Sequence, residues 1–236
     1  MTGGKVVSRQ NIFNVYKRKG IKYKVLNKVK PFGMGREEEL MEKVEDAKAL
    51  AKIAVEDNKD LIFVDECMFT RATLPKKAYS NKKQNVKINP DAGNVKPIAL
   101  VAGINAGTGL VHYEIRTKSI NQVSFKDFID NLVEKVGTNN CALFIDNLSV
   151  HKANLVKEKC DQHGIYRIFN APYSPQYNPI EHYFGQLKRQ YVKIKLEIIG
   201  NMEKFDTKDA VIKAMAKVSD ETTRKIAAKG IERLTA

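Results

Sequence analysis

LIFVDECMF, residues 61–69, is the stretch that decides the fold. Leu61, Ile62, Phe63 and Val64 form an unbroken apolar run, two acids interrupt it, and Cys67, Met68 and Phe69 resume it. A short run of this kind reads as a strand buried on both faces. CALFIDN, residues 141–147, repeats the pattern, its apolar run stopping at Asp146. Burying an ionised carboxylate is costly unless something compensates it. Either acid alone reads more readily as an ordinary turn residue at a strand end. Two in one small sheet point to a site. If the two strands are neighbours, Asp65 and Asp146 stand side by side, and like charges so placed imply a cation between them. Oxygen ligands of this type favour a hard divalent ion, Mg²⁺ or Mn²⁺.

The segments around these strands set the fold class. IALVAGIN (98–105) and GLVHYEIR (109–116) flank Ala106-Gly107-Thr108 and predict an antiparallel hairpin. SFKDFIDNLVEKVG (124–137) carries Phe125, Phe128, Ile129, Leu132, Val133 and Val136 on one helical face. In residues 36–58, Leu40, Val44, Ala47, Leu50, Ala51 and Ala54 form a similar stripe among charges. A helix over 152–163, a short strand over 165–169, a helix over 179–194 and a helical tail over 207–229 complete the pattern. The expected fold is α/β, a mixed sheet with flanking helices, in the element order of a ribonuclease-H-like fold.

The formal net charge is +14 over 236 residues, which favours a polyanionic partner. Residues 1–31 hold nine Lys/Arg and no acid, and residues 71–96 hold seven against Asp91 alone. No apolar run reaches the roughly 18 residues of a membrane span, and the first ten residues lack the apolar core of a secretory signal. Cys67, Cys141 and Cys160 show no metal-type spacing and read as buried thiols in a reducing compartment.

NAPYSPQYNPIEHYF, residues 170–184, supplies a third acid. Asn178 is a good N-cap and Pro179 a good first helical residue, so Glu181 falls where a capping-box glutamate sits. That explains Asn-Pro-Ile-Glu, but not the rigidity of Pro172 to Pro175, which suits a helix start that must be held in one place. Ile180, Phe184, Leu187 and Tyr191 share the packing face, and Glu181, Gly185 and Lys188 an adjoining one that can stay open.

With Val64-Asp65-Glu66, Phe144-Ile145-Asp146-Asn147, His151, and Pro172-Tyr173-Ser174-Pro175 before Asn178-Pro179-Ile180-Glu181, the chain resembles the DDE transposases of the Tc/mariner superfamily over residues 60–200. Asp65 and Asp146 are separated by 80 residues, and Asp146 and Glu181 by 34, a spacing typical of one branch of that family. The resemblance implies that Asp65, Asp146 and Glu181 are catalytic and hold two Mg²⁺ or Mn²⁺ ions, with Asn147 and His151 in support. Glu66 reads as a solvent-side or outer neighbour rather than a ligand. The chain has no Trp, and Tyr183 and Phe184 stand where relatives often carry one.

The resemblance extends to function and partners. It implies cleavage at transposon ends, strand transfer into target DNA at a TA dinucleotide, and a homodimer on double-stranded DNA. Residues 1–34 read as the remnant of a helix-turn-helix region with a basic linker, and 35–236 as the catalytic domain with C-terminal helices. The helix over residues 7–20, capped by Ser8, offers Arg9, Gln10 and Asn14 to DNA. Lys76, Lys77, Lys82 and Lys83, and Lys188 and Arg189, are the expected phosphate contacts. The expected place of action is the nucleus for a eukaryotic host, the cytoplasm for a bacterial one. A domesticated DNA-binding relic, and a different ribonuclease-H-like nuclease cutting hybrids or junctions, remain open alternatives.

Overall fold

The computed structural model describes residues 8–20, 36–70, 73, 97–117, 119–201 and 203–236. Contacts group the chain into two units, Met1–Glu37 and Glu38–Ala236. In the first, helix α1 (Arg9–Arg18) starts at Ser8, whose hydroxyl accepts the Asn11 amide. The linker and the basic stretch of residues 74–96 lie outside the described residues.

The second unit is built on β1 (Asp60–Phe69), which follows the long helix α2 (Arg36–Glu56). Strands β2 (Ile98–Asn105) and β3 (Gly109–Arg116) form the expected hairpin, with the expected bounds. After helix α3 (Gln122–Val136) come β4 (Cys141–Ile145), helices α4 (Ser149–Lys152) and α5 (Asn154–Gln162), and β5 (Tyr166–Phe169). A 3-10 turn at Pro175–Tyr177 leads to α6 (Ile180–Gly200), α7 (Thr207–Ala216) and α8 (Asp220–Thr235). The five strands lie in the order β3-β2-β1-β4-β5. β1 pairs antiparallel with β2 and parallel with β4, and β5 is parallel to β4.

The sheet is covered on both faces, as its parallel half requires. Odd-numbered β1 residues, Leu61, Phe63, Cys67 and Phe69, join Ala142 and Phe144 of β4 in a core with α6, α7, α8 and the Ala47, Ala51 and Ala54 stripe of α2. Even-numbered Ile62 and Val64 join Leu143 and Ile145 in the core under α3 and α5. A slip of one residue would exchange these sets. With each large apolar side chain worth about 1.5–3 kcal/mol when buried, the register is strongly fixed.

Four expectations change in detail. The helix predicted over 152–163 is two, because Ala153 is extended (ψ 143°) between α4 and α5. The helical tail is two helices and runs to Thr235, because Ser219 caps a new start by accepting the Thr222 amide. α6 runs six residues beyond its expected end at 194. In α2 the alanines are buried but Leu50 is 48% exposed, so the stripe there is narrower than its sequence suggests.

Candidate active site

Parallel pairing brings Phe63 opposite Phe144, both buried on the α6 side of the sheet. Their ring centroids are 5.6 Å apart. Two residues further along stand Asp65, still in β1 and on the same face, and Asp146, the first residue beyond β4. Pairing between β1 and β4 ends at Phe63 and Phe144. β1 continues alone to Phe69 against β2, with Asp65 opposite Ala102. Asp65 is therefore mid-strand, not at a strand end, and it sits where the neighbouring strand has just left.

The third acid arrives on a braced turn. The Asn170 amide donates to the Ile145 carbonyl (2.8 Å), prolonging the β4–β5 ladder, and its side chain donates to the Ser174 carbonyl (2.8 Å). Tyr173 between them has φ +57°, an uncommon conformation for a non-glycine residue and one met at functional turns. Asn178, 2% exposed, then does two things. Its Oδ1 accepts the Ile180 amide at 3.4 Å, and its Nδ2 donates to Asp65 Oδ2 at 3.4 Å. One side chain thus ties the start of α6 to the acid on β1. The expected capping box does not form, because the Asn178 amide donates to the Pro175 carbonyl at 3.0 Å. Glu181 is free of that duty, and Ile180, Phe184, Leu187 and Tyr191 bury the opposite side of the helix.

Asp65, Asp146 and Glu181 line one cavity of about 620 Å³, with Asn147, Asn170, Asn178, Lys43, Lys152 and Tyr173 on its walls. Burial pushes Asp65 up to about 7. The amide of Glu66, 2.7 Å from its Oδ1, pulls it down, while the charges of Asp146, Glu181 and Glu66 add to the effect of burial. A carboxyl so placed is short of positive charge.

His151 supplies positive charge to Asp146. It is fully buried, with Nδ1 2.7 Å from Asp146 Oδ1 and Nε2 3.5 Å from Glu66 Oε1. Glu66 points to the opposite face of β1 from Asp65, toward α3, where the Phe125 ring lies 4.2 Å from the imidazole. Glu66 is thus an outer neighbour of the site reached through His151, and not a solvent-side residue. Burial works against the imidazolium, but the hydrogen bonds and charges of Asp146 and Glu66 outweigh it and raise His151 from 6.5 to about 9. Its contribution to stability is then fully present below pH 6.5 and lost as pH rises through about 9. His151→Ala should lower metal affinity or cleavage by about 10–100-fold, the usual cost of removing a group that orients a ligand, without removing any metal-facing oxygen. Metal titration of the cleavage rate checks this, and an unchanged titration would show that Asp146 needs no help.

The donor chemistry fits a hard divalent cation: three carboxylates in one cavity, with Asn147 and Asn170 also lining it. The acids share a cavity rather than a point. Among the described residues, no three His, Cys, Asp or Glu side chains converge closely enough to grip one ion as they stand.

The other expected residues scatter. Asn147 donates to the Asn170 carbonyl and joins the ends of β4 and β5. Lys188 stands beside the Cys67 thiol, which burial nonetheless pushes up to about 11. Exposed Arg189 donates to the Gly185 carbonyl one turn back. Gln10 and Asn14 share a face of α1, where Gln10 Nε2 donates to Asn14 Oδ1 at 3.3 Å, and Arg9 opens the same helix. Lys76, Lys77, Lys82 and Lys83 lie outside the described residues. Sequence reasoning missed Lys43 and Lys152 as cavity residues, and missed that the Asn178 cap also holds Asp65. All three cysteines are buried and free, as expected.

The sheet order and its flanking helices define a ribonuclease-H-like fold, here with three acids converging on one cavity. The family model for DDE superfamily endonucleases matches residues 60–202, and the chain belongs to that family. Among solved structures, the chain shares its fold with a pre-cleavage Mos1 transpososome (TM-score 0.64, 17% identity, 97% of this chain and 69% of that one). It is similarly close to the catalytic domain of Mos1 mariner transposase (TM-score 0.59, 15% identity, 87% of this chain and 94% of that one). A Mos1 mariner paired-end complex with Mn gives a TM-score of 0.61 at 18% identity over 97% of this chain and 69% of that one. No curated protein matches the chain.

Proposed function

We propose that the chain is the catalytic part of a Tc/mariner-type DNA transposase, cutting DNA at transposon ends and joining those ends to target DNA. The observation that carries this reading is the register: Asp65 and Asp146 lie two residues beyond a paired Phe63 and Phe144, and Glu181 lines the same cavity. Membership of the DDE endonuclease family supports the cleavage. The paired-end and strand-transfer complexes of Mos1 support double-stranded DNA as substrate and a dimer as the acting form. Among the described residues no helix is long and apolar enough to cross a membrane. The place of action follows the DNA: the nucleus in a eukaryotic host, the cytoplasm in a bacterial one.

Asp65, Asp146 and Glu181 would hold Mg²⁺ or Mn²⁺, the metals present in Mos1 complexes, as two ions. Bound there, the metal neutralises charge at the scissile phosphate and makes a water or a 3′-hydroxyl a better nucleophile. The rest is the work of the chain. His151 fixes the rotamer of Asp146, and Asn178 does the same for Asp65 while starting α6. The braced turn of residues 170–178 delivers Glu181 to the cavity that both line. Lys43 and Lys152 on the cavity wall meet phosphate oxygens of the strand being cut. Such positioning accounts for most of the catalysis in phosphoryl transfer.

The test is cleavage of plain duplex, RNA–DNA hybrid and four-way junction with Mg²⁺ or Mn²⁺, for the wild type and Asp146→Asn. The expected outcome is metal-dependent cutting of the duplex that chelator removes and Asp146→Asn lacks. Preference for hybrid or junction would assign the chain to another ribonuclease-H-like activity. Tight, salt-sensitive DNA binding with no cutting in either metal would mark a binding relic.

A further inference from the structure

The turn that carries Glu181 has two sides. Pro175, Asn178 and Glu181 face the catalytic cavity, while Gln176, Pro179 and His182 face a second cavity of about 370 Å³. α6 contributes Arg189 to this second cavity, and α8 contributes Lys229, Gly230 and Arg233. Among the described residues, three permanent cations and a histidine line it, and no acid does. Yet α8 carries Asp220, Glu221 and Glu232, all directed elsewhere. A merely solvated helix face would mix the two signs.

The cavity is also built. A Cβ on Gly230 would lie 2.4 Å from Pro179 Cγ, so the α8 backbone rests directly on the catalytic turn, and only glycine allows that approach. The contact sets Lys229 and Arg233, one turn apart, along the rim. Arg233 Nη1 donates to the Gln176 carbonyl, and Arg189 Nε donates to the Gly185 carbonyl. Each guanidinium is thereby fixed in direction while most of its five donors stay available, the arrangement that suits a phosphate.

We propose that this α6–α8 groove binds the sugar–phosphate backbone of DNA next to the cleavage point, on the far side of the catalytic turn. The proposal rests on DNA being the substrate. It adds His182, Lys229 and Arg233 to Arg189 as a single phosphate-binding unit, and it makes α8 part of the substrate-positioning machinery rather than a closing helix.

Binding of a short duplex is measured by fluorescence anisotropy across a salt series. The proteins are the wild type, Lys229→Ala, Arg189→Ala, their double variant, and Lys213→Ala on the exposed face of α7 as control. Each groove substitution should weaken binding and reduce the salt slope by about 1, the double variant by about 2, and the control by none. Neutral methylphosphonates placed one at a time beside the cleavage point then locate the contact. The wild type should lose affinity at a position where the double variant is indifferent. Unchanged affinity and slope in both groove variants, with steep salt dependence in the wild type, would overturn the groove and leave DNA cleavage standing. Lack of DNA binding by the wild type would overturn both. Arg233→Ala is not the deciding variant, because its bond to Gln176 also braces the turn.

Discussion

Asp65→Asn should reduce metal-dependent cleavage by at least about 10³-fold, the several kcal/mol that a properly held cation contributes, and should at the same time stabilise the metal-free protein at alkaline pH. The second effect follows from burial. Asp65 is raised from 3.8 to about 7 in the folded chain. An acid raised on folding contributes stability that is fully present below its unfolded value and lost as pH rises through the folded one. Above pH 7, metal-free wild type therefore carries a buried negative charge among like charges, and asparagine keeps the shape without the charge. The gain is on the order of 1–4 kcal/mol, and each kcal/mol moves the melting temperature by about 2–4 °C in a chain of this size. Melting in chelator should separate the two proteins at about pH 8.5 and bring them together well below pH 5. Metal should reverse the order, since binding needs the ionised carboxylate and releases its proton, so affinity climbs with pH up to about 7. A variant no more stable than wild type at alkaline pH would show that Asp65 is already compensated by other groups.

Much of this site is legible in the sequence, for a physical reason. An acid inside a buried apolar run is an expense that folding does not tolerate idly, so LIFVD and ALFID announce Asp65 and Asp146. Their shared face is also implicit, because strand alternation fixes which side each acid takes once the phenylalanines two residues earlier are buried together. The hairpin strands carry their own bounds in the turn between them. The partners that act on the acids are harder to see. Glu66 follows Asp65 directly, and alternation sends it to the other face, but the His151 that it meets there comes from α4, and no local residue pattern pairs the two. Lys43 is hidden in a charged helix, where any lysine reads as solvated, and Lys152 is one cation among 41. The split between α7 and α8 was available, since Ser219 precedes the acids of α8 as a cap should, but the apolar spacing across it is smooth.

Glu181→Gln separates the chemistry of the third acid from its place at the head of a helix. Glutamine can fill a capping box as glutamate does, so the substitution removes the charge without testing a bond to the Asn178 amide. That amide already donates to the Pro175 carbonyl, and the cap at Ile180 is the Asn178 side chain. What remains for Glu181 at the helix start is its attraction to the dipole, about 0.3–1 kcal/mol at an exposed position. Repulsion from Asp65 offsets part of that, because the two charges act on one another across the cavity. The variant should therefore melt within a few degrees of wild type in chelator. Cleavage should still fall by about 10³-fold or more, through loss of one anionic oxygen pair from a site whose function is to hold cations against a phosphate. Calorimetric titration of Mg²⁺ or Mn²⁺ with DNA present distinguishes the roles directly. Weakened metal binding with unchanged melting makes Glu181 a ligand. Unchanged metal binding shows that Glu181 is no ligand, and leaves Asp65 and Asp146 to hold the metal on their own.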